Sequence, residues 1–262
     1  MNFFGTAAVV LSVVAFAVTY HWLRPRSIAV RSCCLCGFGL LAIPSIWFAA
    51  YYLHILREHA WFYTLRSWPG SEFLVVFLGC AGGAAAALLP RLLLGLPLFA
   101  VLLPGVTPYI KPLMAPLPDP IFKESWRGDV CLQSTPSTCG PASVTTILRR
   151  LGVDTTEHAI ARAAFSYAGG TEAWYLARYV RSRGLSAQFD FRDTFSPAAG
   201  LPALVGVRLG GLGHFIAVLD LHDDQITIAD PLRGEEHLSL TEFQHRYVFT
   251  GFHMVIRRGP PH

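Results

Sequence analysis

The sequence predicts two structural classes in series. Residues 1–110 read as an all-α membrane region of about four transmembrane helices, and residues 125–262 as an α+β domain with helices first and an antiparallel sheet after them. Three observations carry this. The chain is 53% hydrophobic and only 15% charged, where an ordinary soluble domain has about 25% charged residues. It opens with two long uncharged runs, Phe3 to Tyr20 and Ser32 to Leu56, each able to cross roughly 30 Å of hydrocarbon. Its second half carries helical patterns up to Arg183 and then short β-branched or aromatic runs separated by Gly, Pro and Asp.

In the membrane region the expected spans are 3–20, 32–56, 73–89 and 92–110. The last two are separated only by Pro90-Arg91, which suits a tight hairpin, and Pro97, Pro104 and Pro108 predict a kinked fourth span. Ala15-Phe-Ala17 mimics a signal-peptide cleavage site, but no Lys or Arg precedes the first run whereas Arg24, Arg26 and Arg31 follow it. The positive-inside rule puts that loop in the cytoplasm and, after four spans, the C-terminal domain outside. An odd number of spans would reverse this. Between the second and third spans, His59, Trp61, Tyr63 and Trp68 suit an interfacial aromatic belt.

Prolines 112, 116, 118 and 120 leave no room for a regular helix, so residues 111–124 read as a linker. Beyond it, Cys139 to Leu151 is expected as a helix closed by Gly152. Asp154-Thr-Thr-Glu157 looks like a capping box opening a second helix through Ala164, and Thr171 to Arg183 a third. Strands are expected at 187–191, 203–209, 214–221 and 225–229, with Asp223-Asp224 as a hairpin turn, then a short helix over 239–247 and a last strand over 252–257.

The chemistry concentrates at Gln133 and Cys139. A thiol at a helix N-terminus meets unpaired backbone N–H groups and the positive end of the macrodipole, both of which favour thiolate. Gln133, looping over the same spot, is positioned to donate to an oxyanion. Alone, such a cysteine is more often a small buried residue. His214, after the glycines at 210, 211 and 213, stands at the mouth of a strand, and Asp230 ends the partner strand that turns back at Asp223-Asp224. Antiparallel pairing brings the two within reach, so that Asp230 orients an imidazole whose other nitrogen faces Cys139.

These motifs together resemble the papain-like, bacteriocin-processing peptidases that remove double-glycine leaders: Gln133, Cys139-Gly-Pro-Ala-Ser143, Gly170-Thr171, Gly213-His214-Phe215 and Ala229-Asp230-Pro231, over about Asp129 to Ile256. The resemblance implies a papain-like cysteine peptidase domain. In it Cys139 is the nucleophile, His214 the general base and acid, Asp230 the residue that orients it, and Gln133 an oxyanion donor with the Cys139 backbone N–H. It also implies cleavage of a leader or precursor peptide after a small pair such as Gly-Gly. In the best-known members the peptidase is the N-terminal, cytoplasmic part of an ATP-driven exporter, whereas here it follows a membrane region.

The expectation is therefore a membrane-anchored cysteine endopeptidase, integral to a bacterial cytoplasmic membrane, with a peptide precursor and the bilayer as partners and a separate exporter compatible with it. A catalytically silent, peptide-binding or sensing membrane protein is the alternative. No cofactor or metal is expected: Cys33, Cys34, Cys36 and Cys80 lie in apolar runs, and His158, His222, His237, His245 and His253 show no ligand spacing and suit solvent. Trp174 and Tyr175 suit the core. Lys111 and Lys123 follow no glycine, so no phosphate loop marks an ATP site. Residues 111–262 balance fifteen basic against fifteen acidic side chains, which argues against nucleic acid. Cys131 stands out as the one thiol able to silence Cys139 by a disulfide.

Overall fold

The computed structural model describes residues 2–52 and 57–259. The chain forms two compact units, one of Met1–Glu58 and Pro69–Met114, the other of His59–Trp68 and Ala115–His262. The first six helices are α1 (Phe3–Leu23), α2 (Ile28–Leu41), α3 (Ile43–Tyr52), α4 (Ala60–Arg66), α5 (Val75–Leu88) and α6 (Gly95–Met114), and of these α4 belongs to the second unit.

In the first unit, Phe3–Leu23 and Ser71–Leu88 are long and apolar enough to cross a membrane, and Arg91–Leu103 with Gly105–Met114 make a third if the pair, bent by 57°, is one span. Among the described residues, four continuous spans are not found. The expected second span is broken at Ala42 into α2 and α3, because Pro44 cannot donate the backbone hydrogen bond that would continue the helix. Its last residues, 53–56, lie outside the described residues. The bend in α6 falls at Pro104, for the same reason. Close packing of α1 on α5 depends on small residues: a Cβ at Gly79 would stand 2.1 Å from the Ser12 carbonyl oxygen, and one at Gly83 2.4 Å from that of Phe16. Arg31 closes the end of α1 by donating to the carbonyls of Arg24, Arg26 and Ala87.

The second unit starts with a two-stranded hairpin, β1 (Ser125–Arg127) and β2 (Val130–Leu132). Three helices follow, α7 (Cys139–Arg150), α8 (Glu157–Ala163) and α9 (Ala173–Ser182). The strands β3 (Leu185–Phe191), β4 (Ala203–Leu209), β5 (Leu212–His222), β6 (Gln225–Asp230), β7 (Gly234–Ser239) and β8 (Val248–Arg258) pair antiparallel throughout in the order β3-β8-β4-β5-β6-β7, and α10 (Leu240–Arg246) joins the last two. Helices first and an antiparallel sheet afterwards is the α+β arrangement expected. Asp223 and Asp224 make the β5–β6 turn at φ 47° and 61°, values that aspartate tolerates better than most residues. The core beneath β4–β6 is Val205, Val207, Ile216, Val218, Ile226 and Ile228, closed by Phe243 and Tyr247.

Several sequence expectations are corrected. Strand β7 was not foreseen, because Gly-Glu-Glu-His-Leu-Ser is mostly polar; it is the sheet edge, where exposed charges are the rule. Thr156, not Asp154, caps α8, and the true capping box is Ser239 with Glu242. His253, expected in solvent, is buried with its Nε2 3.0 Å from the Gly200 carbonyl. Residues 115–124 are fastened to the second unit: Ala168 N–H donates to Ala115 O at 2.9 Å, and Asp119 accepts from Arg162 and lies 2.8 Å from His158 Nε2.

The aromatic belt is corrected at Tyr63, while Trp61 and Trp68 are exposed. Phe62 and Tyr63 of α4 are buried in the second unit, Tyr63 against Trp174, Phe189, Phe191 and Phe252 at ring-centroid distances of 4.9–5.8 Å. Trp174 and Tyr175 are core residues, as expected.

Candidate active site

The site grows from the first turn of α7. Cys139 is its first helical residue, following Thr138 as cap, so its backbone N–H has no acceptor within the helix. Pro141 fits the same turn, since N–H groups there would be unused. Gly140 lets α7 pack closely: a Cβ there would lie 2.9 Å from Leu176 Cδ1 and 3.3 Å from the Phe215 ring. Ser143 Oγ then donates to the Phe215 carbonyl at 3.1 Å, tying α7 to β5 one residue from His214.

His214 and Asp230 meet through strand register. Ala217 of β5 pairs with Ala229 of β6, and one step outward sets Asp230 opposite Ile216, a diagonal neighbour of His214 on the same face. His214 Nε2 lies 2.9 Å from Asp230 Oδ1, with His214 8% exposed and Asp230 fully buried. That leaves Nδ1 as the ring nitrogen open to Cys139, whose thiol is the imidazole's other electrostatic neighbour. Burial alone would lower the histidine pKa, but the Asp230 hydrogen bond, the Cys139 contact and the charges of both outweigh it and raise it to about 9. Asp230 is the mirror case. Burial pushes its pKa up, and the bonds from His214, the Leu232 N–H and Tyr247, with the imidazole charge, hold it below the usual carboxylate range.

Gln133 is fixed by its main chain, whose N–H donates to Pro231 O at 3.0 Å, so the loops bearing Gln133 and Asp230 are joined. Its side-chain Nε2 donates to Thr135 O at 2.8 Å, and Oε1 is buried without a hydrogen-bond partner among the described residues. Cys131 and Cys139 are both free thiols. Burial, followed by the nearby charges of Glu157 and Glu124, pushes the Cys131 thiol far up, which removes it from thiolate chemistry at ordinary pH.

Two residues at the site were missed by sequence reasoning. Glu157, taken for a helix-capping residue, is fully buried and accepts from both the N–H and the hydroxyl of Ser134, bracing the loop between Gln133 and Cys139. Its signal was misread rather than absent. Tyr247 donates its hydroxyl to Asp230 Oδ2 at 3.0 Å, and no motif around it announces that contact.

Residues 127–260 match the model of the Peptidase C39 family. An uncharacterised protein of Methanothermobacter marburgensis is 33% identical over 137 residues, covering 52% of this chain and 94% of that protein. Among solved structures, the chain is similar to a double-glycine-motif protease from an AMS/PCAT transporter in complex with the leader peptide, at 18% identity over 52% of this chain and 93% of that one, with a TM-score of 0.43. It is also similar to the peptidase domain of Streptococcus ComA, a bifunctional ABC transporter involved in a quorum-sensing pathway, at 19% identity over 49% and 96% of the two chains and a TM-score of 0.43.

Proposed function

The chain belongs to the Peptidase C39 family, and from that premise we propose that it is a membrane-anchored cysteine endopeptidase that removes a leader from a peptide precursor after a small pair such as Gly-Gly. The observation that carries the reading is the buried His214–Asp230 pair, 2.9 Å apart, beside a free cysteine on the first turn of α7. His214 Nδ1 takes the Cys139 proton and the sulfur attacks the scissile carbonyl carbon. The Cys139 N–H and the second N–H of the Gln133 amide stabilise the oxyanion. His214 then protonates the departing amine, leaving a thioester, and finally takes a proton from the water that releases the leader. Asp230 holds the ring and balances the imidazolium throughout.

The test uses the full chain in detergent or vesicles with a synthetic leader ending in Gly-Gly and a short extension, the products read by mass spectrometry. Iodoacetamide near neutral pH is expected to modify Cys139 well before Cys131 and to abolish the cut in step with that modification. Cleavage that persists with Cys139 fully modified would sink the reading. Peptide binding without any cleavage would favour the silent, sensing alternative.

The same reading carries a topology. Residues 59–68 and 115–262 belong to one folded unit, so both face the same side, and the chain crosses the bilayer an even number of times between them. Ser71–Leu88 and the bent Arg91–Met114 stretch supply two crossings. With Arg24, Arg26 and Arg31 cytoplasmic, and α2–α3 crossing as a broken pair, the peptidase unit is extracytoplasmic. Single cysteines at Trp68→Cys and Leu232→Cys, both exposed positions of that unit, should label with an impermeant maleimide from one side, and Arg24→Cys only from the other. Labelling of Trp68→Cys and Leu232→Cys from opposite sides would refute the shared compartment.

A further inference from the structure

Tyr247 lies between α10 and β8, with its ring in the core 5.4 Å from that of Phe243 and 1% of its surface exposed. Two carboxylates face its hydroxyl, Asp230 Oδ2 at 3.0 Å and Glu236 Oε2 at 3.4 Å. The single proton goes to Asp230. That contact is shorter, and Glu236 is already served by Arg246 Nη1 at 2.7 Å. Asp230 therefore has three donors. His214 Nε2 and the Leu232 N–H share Oδ1, each at 2.9 Å, and Tyr247 holds Oδ2. A fully buried carboxylate needs such donors in place of water, and each one removed is felt in full.

Two of the three are accounted for by the reading above, His214 by its chemistry and Leu232 by the turn after β6. Tyr247 comes from neither. The tyrosine sits in the chain between α10 and β8, neither of which bears a reacting residue, and its own packing would be served equally by phenylalanine. We propose that Tyr247 is a positioning residue of the peptidase, one whose hydroxyl locks the rotation of the Asp230 carboxylate so that Oδ1 stays aimed at His214. The inference rests on the assignment of Cys139 and His214 as the reacting pair. The titratable and charged groups facing the Asp230 site are His214 on β5, Cys139 on α7, Glu236 on β7, Arg233 in the β6–β7 turn and Tyr247 itself.

Tyr247→Phe keeps the ring and removes the donor. We expect kcat/KM on a Gly-Gly leader peptide to fall about tenfold, the scale of one hydrogen bond to a charged group. The acid end of the pH profile should move up, because a carboxylate with one donor fewer takes up its proton sooner. The rate at which iodoacetamide modifies Cys139 should show the same displacement without any substrate. A tyrosine that only fills space would change thermal stability and leave both pH profiles where they were, and that result overturns the inference. Cleavage surviving Cys139→Ala would instead overturn the reading on which it rests, so the two failures are distinguishable.

Discussion

Replacing Cys139 by alanine should remove cleavage altogether, while the protein still inserts and folds. The nucleophile of an acyl-transfer enzyme acts as a unit with its base, and deletion of either costs on the order of 10⁶ in kcat in the comparable serine case. His214→Ala is therefore expected to be as severe, and the double variant no worse than either one. Asp230→Asn leaves a hydrogen-bonding group but loses the charge, and a loss of up to about 10⁴ is expected. Alanine fits the first turn of α7, so unfolding does not confuse the result. The assay is product formation by mass spectrometry beside a protease-resistance control, and appreciable cleavage by Cys139→Ala would exclude the thioester route.

The same pair sets the behaviour at high pH. The His214 pKa is raised from its ordinary 6.5 to about 9. Stability contributed by the charged imidazole is therefore fully present below pH 6.5 and lost as pH rises through about 9. Asp230, held low, has the opposite sign: its contribution is present above the ordinary carboxylate range and lost only in strong acid. Activity should fall over the alkaline window with the imidazolium, and in His214→Ala the corresponding loss of stability should be absent.

What could be read from the sequence follows from how local its causes are. The placements of Cys139, His214 and Asp230 in the fold were legible because each is tied to a boundary with its own signal: a helix start, a glycine run before a strand, and an Asp-Pro that ends one. The turn at Asp223-Asp224 completed the argument, since a two-residue hairpin fixes which strand ends meet. Tyr247 was not legible, because its contact depends on where β7 and α10 return the chain, and β7 itself was hidden by the polar composition of an edge strand. The second membrane span misled for the opposite reason: hydropathy averages over 32–56, whereas one proline decides whether the helix continues.

The loop between α3 and α5 misled most, and it yields the largest expected effect on stability. Aromatic residues between apolar runs suit a membrane interface, and nothing local says otherwise. Tyr63 is instead 3% exposed and its ring meets four others in the peptidase unit. Truncating a fully packed aromatic costs about 3–5 kcal/mol, a large part of the roughly 5–15 kcal/mol that holds a domain together. Tyr63→Ala should therefore make the peptidase unit strongly protease-sensitive and lower its unfolding temperature by many degrees. Trp61→Ala, two residues away and 46% exposed, should change little. A fragment of residues 115–262 lacks α4 and would expose the faces of Trp174, Phe189 and Phe252 that Tyr63 covers, so it should aggregate where the full chain does not. If the fragment were as stable as the full chain, or Tyr63→Ala no worse than Trp61→Ala, α4 would not be part of the peptidase fold, and the argument that the loop and the catalytic unit share one side of the membrane would lose its footing.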